Sequence, residues 1–174
     1  MTELVIKKRH AIKKGQLTSL MTKLRESLGD EADQFTAPMI EIAETASKFN
    51  IYLVDKKPIL MEKVAGPSAE SDPGWAFPTL RGAIQRPFTH RRIVVDMGAV
   101  PYMINGADIM RPGVVDVTSD VKAGMPAVAV DESHGKPLAV VLPLYDAEGI
   151  LALEKGKVAK NIHYVGDELW NLEL

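Results

Sequence analysis

The sequence predicts an α+β protein of two domains, the second of them a small, mostly β barrel with short helices. Three observations carry this. One segment, residues 15–29, repeats leucine and methionine at helical spacing. Most other apolar residues fall in short runs bounded by turn residues, the pattern of many short strands. Charge divides between the halves: residues 1–92 hold 15 basic and 11 acidic side chains (net +4), residues 93–174 hold 6 and 12 (net −6).

Each element follows in order. Residues 3–12 (ELVIKKRHAI) read as a strand with a basic end. In GQLTSLMTKLRESLG, Leu17, Leu20, Met21, Leu24 and Leu28 share one helical face, and Gly29 stops the helix. Asp30–Asp33 lead into a second, short or irregular helix. MIEIAETAS, FNIYLVD and KPILMEKVA are strands, the last two joined by the Asp55-Lys56-Lys57 turn. Residues 65–74 form a loop rich in Gly, Pro, Ser and acidic residues. WAFPTLRGAIQRPF supplies aromatic and apolar anchors, with a helix from Thr79 to Gln85 ended by Pro87. The domain boundary falls near Thr89–Arg92, dividing residues 1–90 from 91–174.

In the second half RRIVVDMG is a strand, and residues 99–105 a helix with Pro101 in its first turn, where the missing amide costs nothing. Ile109-Met110 is a brief strand and Arg111-Pro112-Gly113 a turn. GVVDVTSDV, PAVAVDE and PLAVVLPLY are strands, with His134-Gly135-Lys136 closing a hairpin. Asp146 caps a short helix running to Glu154. VAKNIHYVG is the last strand. Alternation puts residues 157, 159, 161 and 163 on one face and Lys160 on the other.

The chain has 174 residues and no cysteine, which excludes disulfides, thiolate nucleophiles and cysteine-ligated metals. No apolar run is long enough for a membrane span, and MTELVIKKRHAIKKG lacks the core of a signal peptide. A cytoplasmic location is the simplest expectation. His10, His90, His134 and His163 are never three or four residues apart, so no helical metal pair exists. No P-loop, nucleophile elbow or dinucleotide fingerprint is present. The expectation is a protein that is not an enzyme and needs no cofactor or metal. Two lysine–arginine groups stand out: Lys7, Lys8, Arg9, Lys13 and Lys14, then Lys155, Lys157 and Lys160. Each is either a solvated face or a set of phosphate contacts.

The segment GAVPYMINGADIMRPGV, followed by GKVAKNIHYVGDELW, resembles the PUA domain, the RNA-binding β-barrel of pseudouridine synthases and archaeosine transglycosylases. WAFPTLRGAIQRPF and the preceding order of strand, two helices and three strands resemble the junction and pre-PUA domain of the malignant-T-cell-amplified-sequence family and of ligatin-type initiation factors. The resemblance covers nearly the whole chain, weakest over residues 1–60. It implies a pre-PUA α+β domain followed by a PUA barrel, and a non-enzymatic RNA-binding protein of translation. The expected partners are the tRNA acceptor end, the small ribosomal subunit through its rRNA, and a separate SUI1-domain protein. The RNA-binding residues it implies are Gly98, Ala99, Tyr102, Gly106, Ala107, Asp108, Arg111, Pro112, Gly113, Lys155, Gly156, Lys157, Asn161 and His163. The N-terminal basic group is the candidate for docking on rRNA.

This sequence departs from the family in three respects, the first being that no catalytic domain accompanies the PUA half, so any RNA modification would be carried out by another protein. Its PUA half is acidic, and Val141 stands where many PUA domains have glycine. A second reading makes the chain a protein-interaction module, with Trp75 and Phe77 as exposed anchors, or an RNA-delivery subunit of an RNA-modification complex.

Overall fold

The computed structural model describes residues 4–68 and 70–174. It divides into two units: residues up to Phe88 together with Asn171–Leu174, and Thr89–Trp170. Among the described residues there are eleven strands and four α-helices.

The first unit is a five-stranded antiparallel meander: β1 (Ile6–Ala11), β2 (Glu41–Thr45), β3 (Phe49–Val54), β4 (Lys57–Lys63) and β5 (Trp75–Pro78), in that spatial order. Helix α1 (Lys14–Leu28) buries Leu20, Met21, Leu24 and Leu28. Gly29 follows with φ +56 and is continued by a 3₁₀ helix, Gly29–Phe35, that buries Ala32 and Phe35. Phe35 and Phe77 each meet Phe88 edge to face. The Asp55-Lys56 turn has both residues at positive φ, the twist a tight hairpin requires.

Strand β5 was expected only as a source of anchors. Trp75 and Phe77 are both buried, Trp75 at 6% exposure, because β5 pairs with β4 under α1. They are core residues, which corrects the expectation that they are exposed. Helix α2 (Leu80–Gln85) begins where predicted. Thr79 Oγ1 donates to Pro58 O at 2.8 Å and accepts from Gly82 N at 3.1 Å, so one hydroxyl fixes the helix start to β4. Gly82 lies so close to the Ile59 carbonyl that any Cβ there collides with backbone.

One rung of this sheet is polar across four strands: Lys8, Glu44, Asn50 and Glu62 are successive partners. Glu62 is buried, yet every oxygen is met. Oε2 pairs with Lys23 at 2.7 Å, and Oε1 accepts from Asn50 at 2.9 Å and Tyr52 at 2.7 Å. Burial and the Glu62 charge together push the Tyr52 phenol well above its ordinary value.

The second unit is a barrel-like mixed sheet of six strands: β6 (Arg92–Val95), β7 (Ile109–Met110), β8 (Val114–Val117), β9 (Ala127–Asp131), β10 (Pro137–Pro143) and β11 (Lys157–Tyr164). Their order is β7-β11-β10-β9-β6-β8, and only β6 and β9 run parallel. Helices α3 (Val100–Met103) and α4 (Ala147–Ala152) complete it. Every residue of β9 is buried, and Val141 lies in the core beside Ala139 and Ala159.

Strand β8 ends at Val117, four residues earlier than predicted, because the next side chains turn back onto the backbone. Thr118 Oγ1 accepts from Arg92 N, and Asp120 accepts from Arg91 N. Asp146 stands at the start of α4, but its Oδ1 accepts from Ala123 N at 2.9 Å instead of from the helix. The predicted alternation along β11 also fails. Asn161 pairs with Val141 while His163 pairs with Val140, so Ile162 is an extra, bulged residue. Neighbours on β10 point to opposite faces, so Asn161 keeps the face of Ala159, and His163 joins Lys160 on the other.

Candidate nucleic-acid interface

A cleft of about 460 Å³ opens in the second unit between α3, the loop after it and the start of β8. Local backbone chemistry builds it. Asp96 ends β6 and turns the chain: its Oδ1 accepts from Ala99 N at 2.9 Å while its own amide donates to Gly113 O. Gly113 and Ala99 then approach so closely that a Cβ on Gly113 would lie 3.2 Å from that of Ala99. Ala107 N donates to Tyr102 O, closing the turn after α3. Gly106 sits in that turn at φ +92, and a Cβ there would come within 2.8 Å of the Tyr164 ring.

The far wall is held by β11. Asp108 accepts from Asn161 N at 2.8 Å through Oδ1 and pairs with Lys157 Nζ at 2.8 Å through Oδ2. Burial alone would raise its carboxyl. The Lys157 ammonium and the Asn161 amide outweigh that and hold it below the ordinary carboxylate range, so it is an ionised, fully engaged group. Asn161 Nδ2 donates to the carbonyls of Met103 and Ala107, tying α3 and its loop to the last strand.

The predicted residues therefore separate. Gly98, Ala99, Tyr102, Ala107, Asp108, Pro112 and Gly113 line the cleft. Tyr102 stands at its mouth, 70% exposed. Lys155, Gly156 and Lys157 are exposed where β11 begins, and Lys157 reaches the cleft wall through Asp108. Gly106 and Asn161 support the wall from behind. Arg111 is turned inward: Nε donates to Leu153 O at 2.9 Å, Nη1 to Val114 O at 3.2 Å and Nη2 to Leu151 O at 3.5 Å. Its guanidinium thus occupies the carbonyls at the end of α4, which have no partner within the helix. His163 is 1% exposed and lies on the opposite face of β11, with Nδ1 2.8 Å from Asp167 Oδ2.

In the first unit Lys7, Lys8, Arg9, Lys13 and Lys14 are exposed on β1 and at the start of α1. Arg9 is paired with Glu41 at 2.9 Å. Helix α1 has no acidic residue in its first turn, so Lys13 and Lys14 stand at the positive end of the helix dipole.

Four cleft residues went unpredicted: Asp96, Met103, Ile109 and Met110. Asp96 carried a readable signal, an aspartate just after a strand and three residues before an amide it can cap. The cleft is predominantly apolar, and its two carboxylates repel phosphate. It fits the flat face of a base better than a phosphodiester. Among the described residues no group of three or more His, Asp or Glu side chains is placed to hold a metal ion. No helix among them is long and apolar enough to cross a membrane.

Comparison with known proteins agrees with this architecture. Residues 91–165 match the PUA domain family. An uncharacterized protein of Methanocaldococcus jannaschii is 35% identical over 170 residues, covering 97% of this chain and 98% of that one. Translation machinery-associated protein 20 of Eremothecium gossypii is 27% identical, covering 92% of this chain and 86% of its own length. Malignant T-cell-amplified sequence 1 of Rattus norvegicus is 33% identical over 100 residues, which cover 56% of this chain and 55% of that one. The crystal structure of a hypothetical protein from Pyrococcus horikoshii OT3 superposes with a TM-score of 0.80 at 28% identity, covering 96% of this chain and all of that one.

Proposed function

The chain belongs to the family of PUA-domain proteins that includes translation machinery-associated protein 20 and the malignant T-cell-amplified sequences, and from that premise we propose that it is a non-catalytic RNA-binding protein of translation. The cleft beside α3 receives a single-stranded RNA end, and the tRNA acceptor terminus is the end we assign to it. The observation that carries this is the pairing of an apolar cleft with an exposed Tyr102 at its mouth. Single-stranded RNA is recognised by stacking unpaired bases on aromatic side chains. Lys155 and Lys157, exposed where β11 begins, supply phosphate contacts beside it.

The exposed lysines of β1 and α1 suit a second contact, with rRNA of the small ribosomal subunit, independent of base sequence. A separate SUI1-domain chain is the protein partner this reading favours, in line with the family resemblance. The interaction-module reading loses its anchors, since Trp75 and Phe77 are core.

The test compares a tRNA with the same tRNA lacking its single-stranded 3′ end, across a salt series, for the parent protein and Tyr102→Ala. One stacked base contributes about 1–3 kcal/mol, so the variant is expected to bind the complete tRNA about tenfold more weakly and the truncated one unchanged. Equal, salt-fragile binding of both RNAs by both proteins would mean that only phosphates are felt, and would reject the cleft as the RNA site.

A further inference from the structure

Two carboxylates face the cleft, and they are not equivalent. Asp108 has both oxygens committed, to the Asn161 amide and the Lys157 ammonium. Asp96 has one oxygen committed, Oδ1 to the amide of Ala99. Among the described residues no protein donor meets its Oδ2, and Asp96 is part of the cleft lining. Asp96 Oδ2 is therefore an anionic acceptor that no protein donor among the described residues occupies, on a residue that lines a mostly apolar cleft. Such a group favours an N–H donor and disfavours phosphate or carbonyl oxygen.

We infer that Asp96 is a specificity residue that selects the base held in the cleft, favouring one with an exocyclic amino group over uracil. This rests on the RNA-end reading above. Cytosine, adenine and guanine each offer an amino donor on the edge that a stacked base leaves open. Uracil offers carbonyl oxygens on both sides of its single ring N–H, and these face the carboxylate unfavourably. Cytosine and uracil have the same ring size, so stacking on Tyr102 does not separate them. The discrimination then comes from the hydrogen bond alone, and a good base contact of this type is worth about tenfold.

The experiment uses single-stranded RNA decamers identical except for the 3′-terminal nucleoside, cytidine or uridine, so that phosphate number is constant. The parent protein is expected to bind the cytidine-ended RNA about tenfold more tightly. D96N keeps an acceptor for the Ala99 amide and places an amide donor toward the cleft. Its preference is expected to vanish or reverse toward uridine, whose O4 accepts. Thermal melting reports whether D96N is folded. If it is not, Asp96→Glu, which moves the carboxylate by one methylene, is expected to lose the preference instead.

Equal binding of the two RNAs by the parent protein, or a preference that D96N or Asp96→Glu leaves intact, overturns the assignment of Asp96. Tyr102→Ala distinguishes the two levels of failure. If it still weakens both RNAs, the cleft remains the RNA site and only base selection is lost. If it weakens neither, the RNA-end reading falls as well.

Discussion

An Asp167→Ala protein is expected to lose about 4 kcal/mol of stability, the largest effect of any single side chain considered. Asp167 lies in the turn after β11. Its Oδ2 meets His163 Nδ1 at 2.8 Å and the Tyr164 amide at 3.0 Å, and its Oδ1 accepts from the Trp170 amide at 2.8 Å. The His163 ring is almost fully buried, and its Nε2 has no protein partner among the described residues. The carboxylate is thus the ring's one hydrogen-bond anchor there. Removing it leaves a buried imidazole nitrogen and two amides unmet, each at a cost of about 1–3 kcal/mol. Denaturant unfolding measures the change, and a loss under about 1 kcal/mol would refute the role.

The same group predicts an acid limb. Burial raises the Asp167 carboxyl, but the His163 hydrogen bond and charge and the two amides prevail and hold it below its ordinary value. As pH falls, the unfolded chain takes up this proton before the folded chain does. The contribution is therefore complete at neutral pH. It declines from about pH 4, the ordinary carboxylate value, as pH falls through the lower native value. Asp167→Ala should flatten that limb.

Arg111→Ala carries the second large effect, expected at about 3 kcal/mol, and it separates folding from binding. The guanidinium donates to three backbone carbonyls, two of them at the end of α4. Those acceptors are left without a donor in the variant, and charged hydrogen bonds are the strong ones. Arg111→Lys keeps the charge but not the planar fork, so it is expected to recover less than half of the loss. RNA affinity of the folded fraction should stay within twofold of the parent at low salt. A tenfold drop in affinity with unchanged stability would instead make Arg111 a direct RNA contact.

What could be read from the sequence was local. The GAVPYMINGADIMRPGV segment keeps its glycines, its turn and its brief strand within one short stretch, and seven of the cleft residues were named from it. Helix α1 declared itself through a periodicity that the core then uses. Features made by distant partners stayed hidden. Arg111 reads as a surface cation because its acceptors Leu151 and Leu153 lie 40 and 42 residues away. Strand β5 is only four residues long and ends in proline, so nothing in its own pattern announces that β4 and α1 cover it. His163 was assigned to the wrong face because strict alternation assumes a strand without a bulge. The register of β10 against β11 is a tertiary fact.

That bulge has a consequence for how the strand can vary. Before Ile162, Lys157 and Asn161 serve the cleft wall. After it, His163 serves the buried turn built around Asp167. The extra residue acts as a phase change, so the two halves answer to different constraints. Substitutions up to Asn161 can retune what the cleft accepts while the His163 anchor stays in place. Deleting Ile162 would restore strict alternation and make Asn161 and His163 direct neighbours, so the two jobs would stay on opposite faces. An inherited one-residue gap at the bulge would keep both halves in phase with β10, whereas a gap within either half would turn that half's side chains to the wrong face.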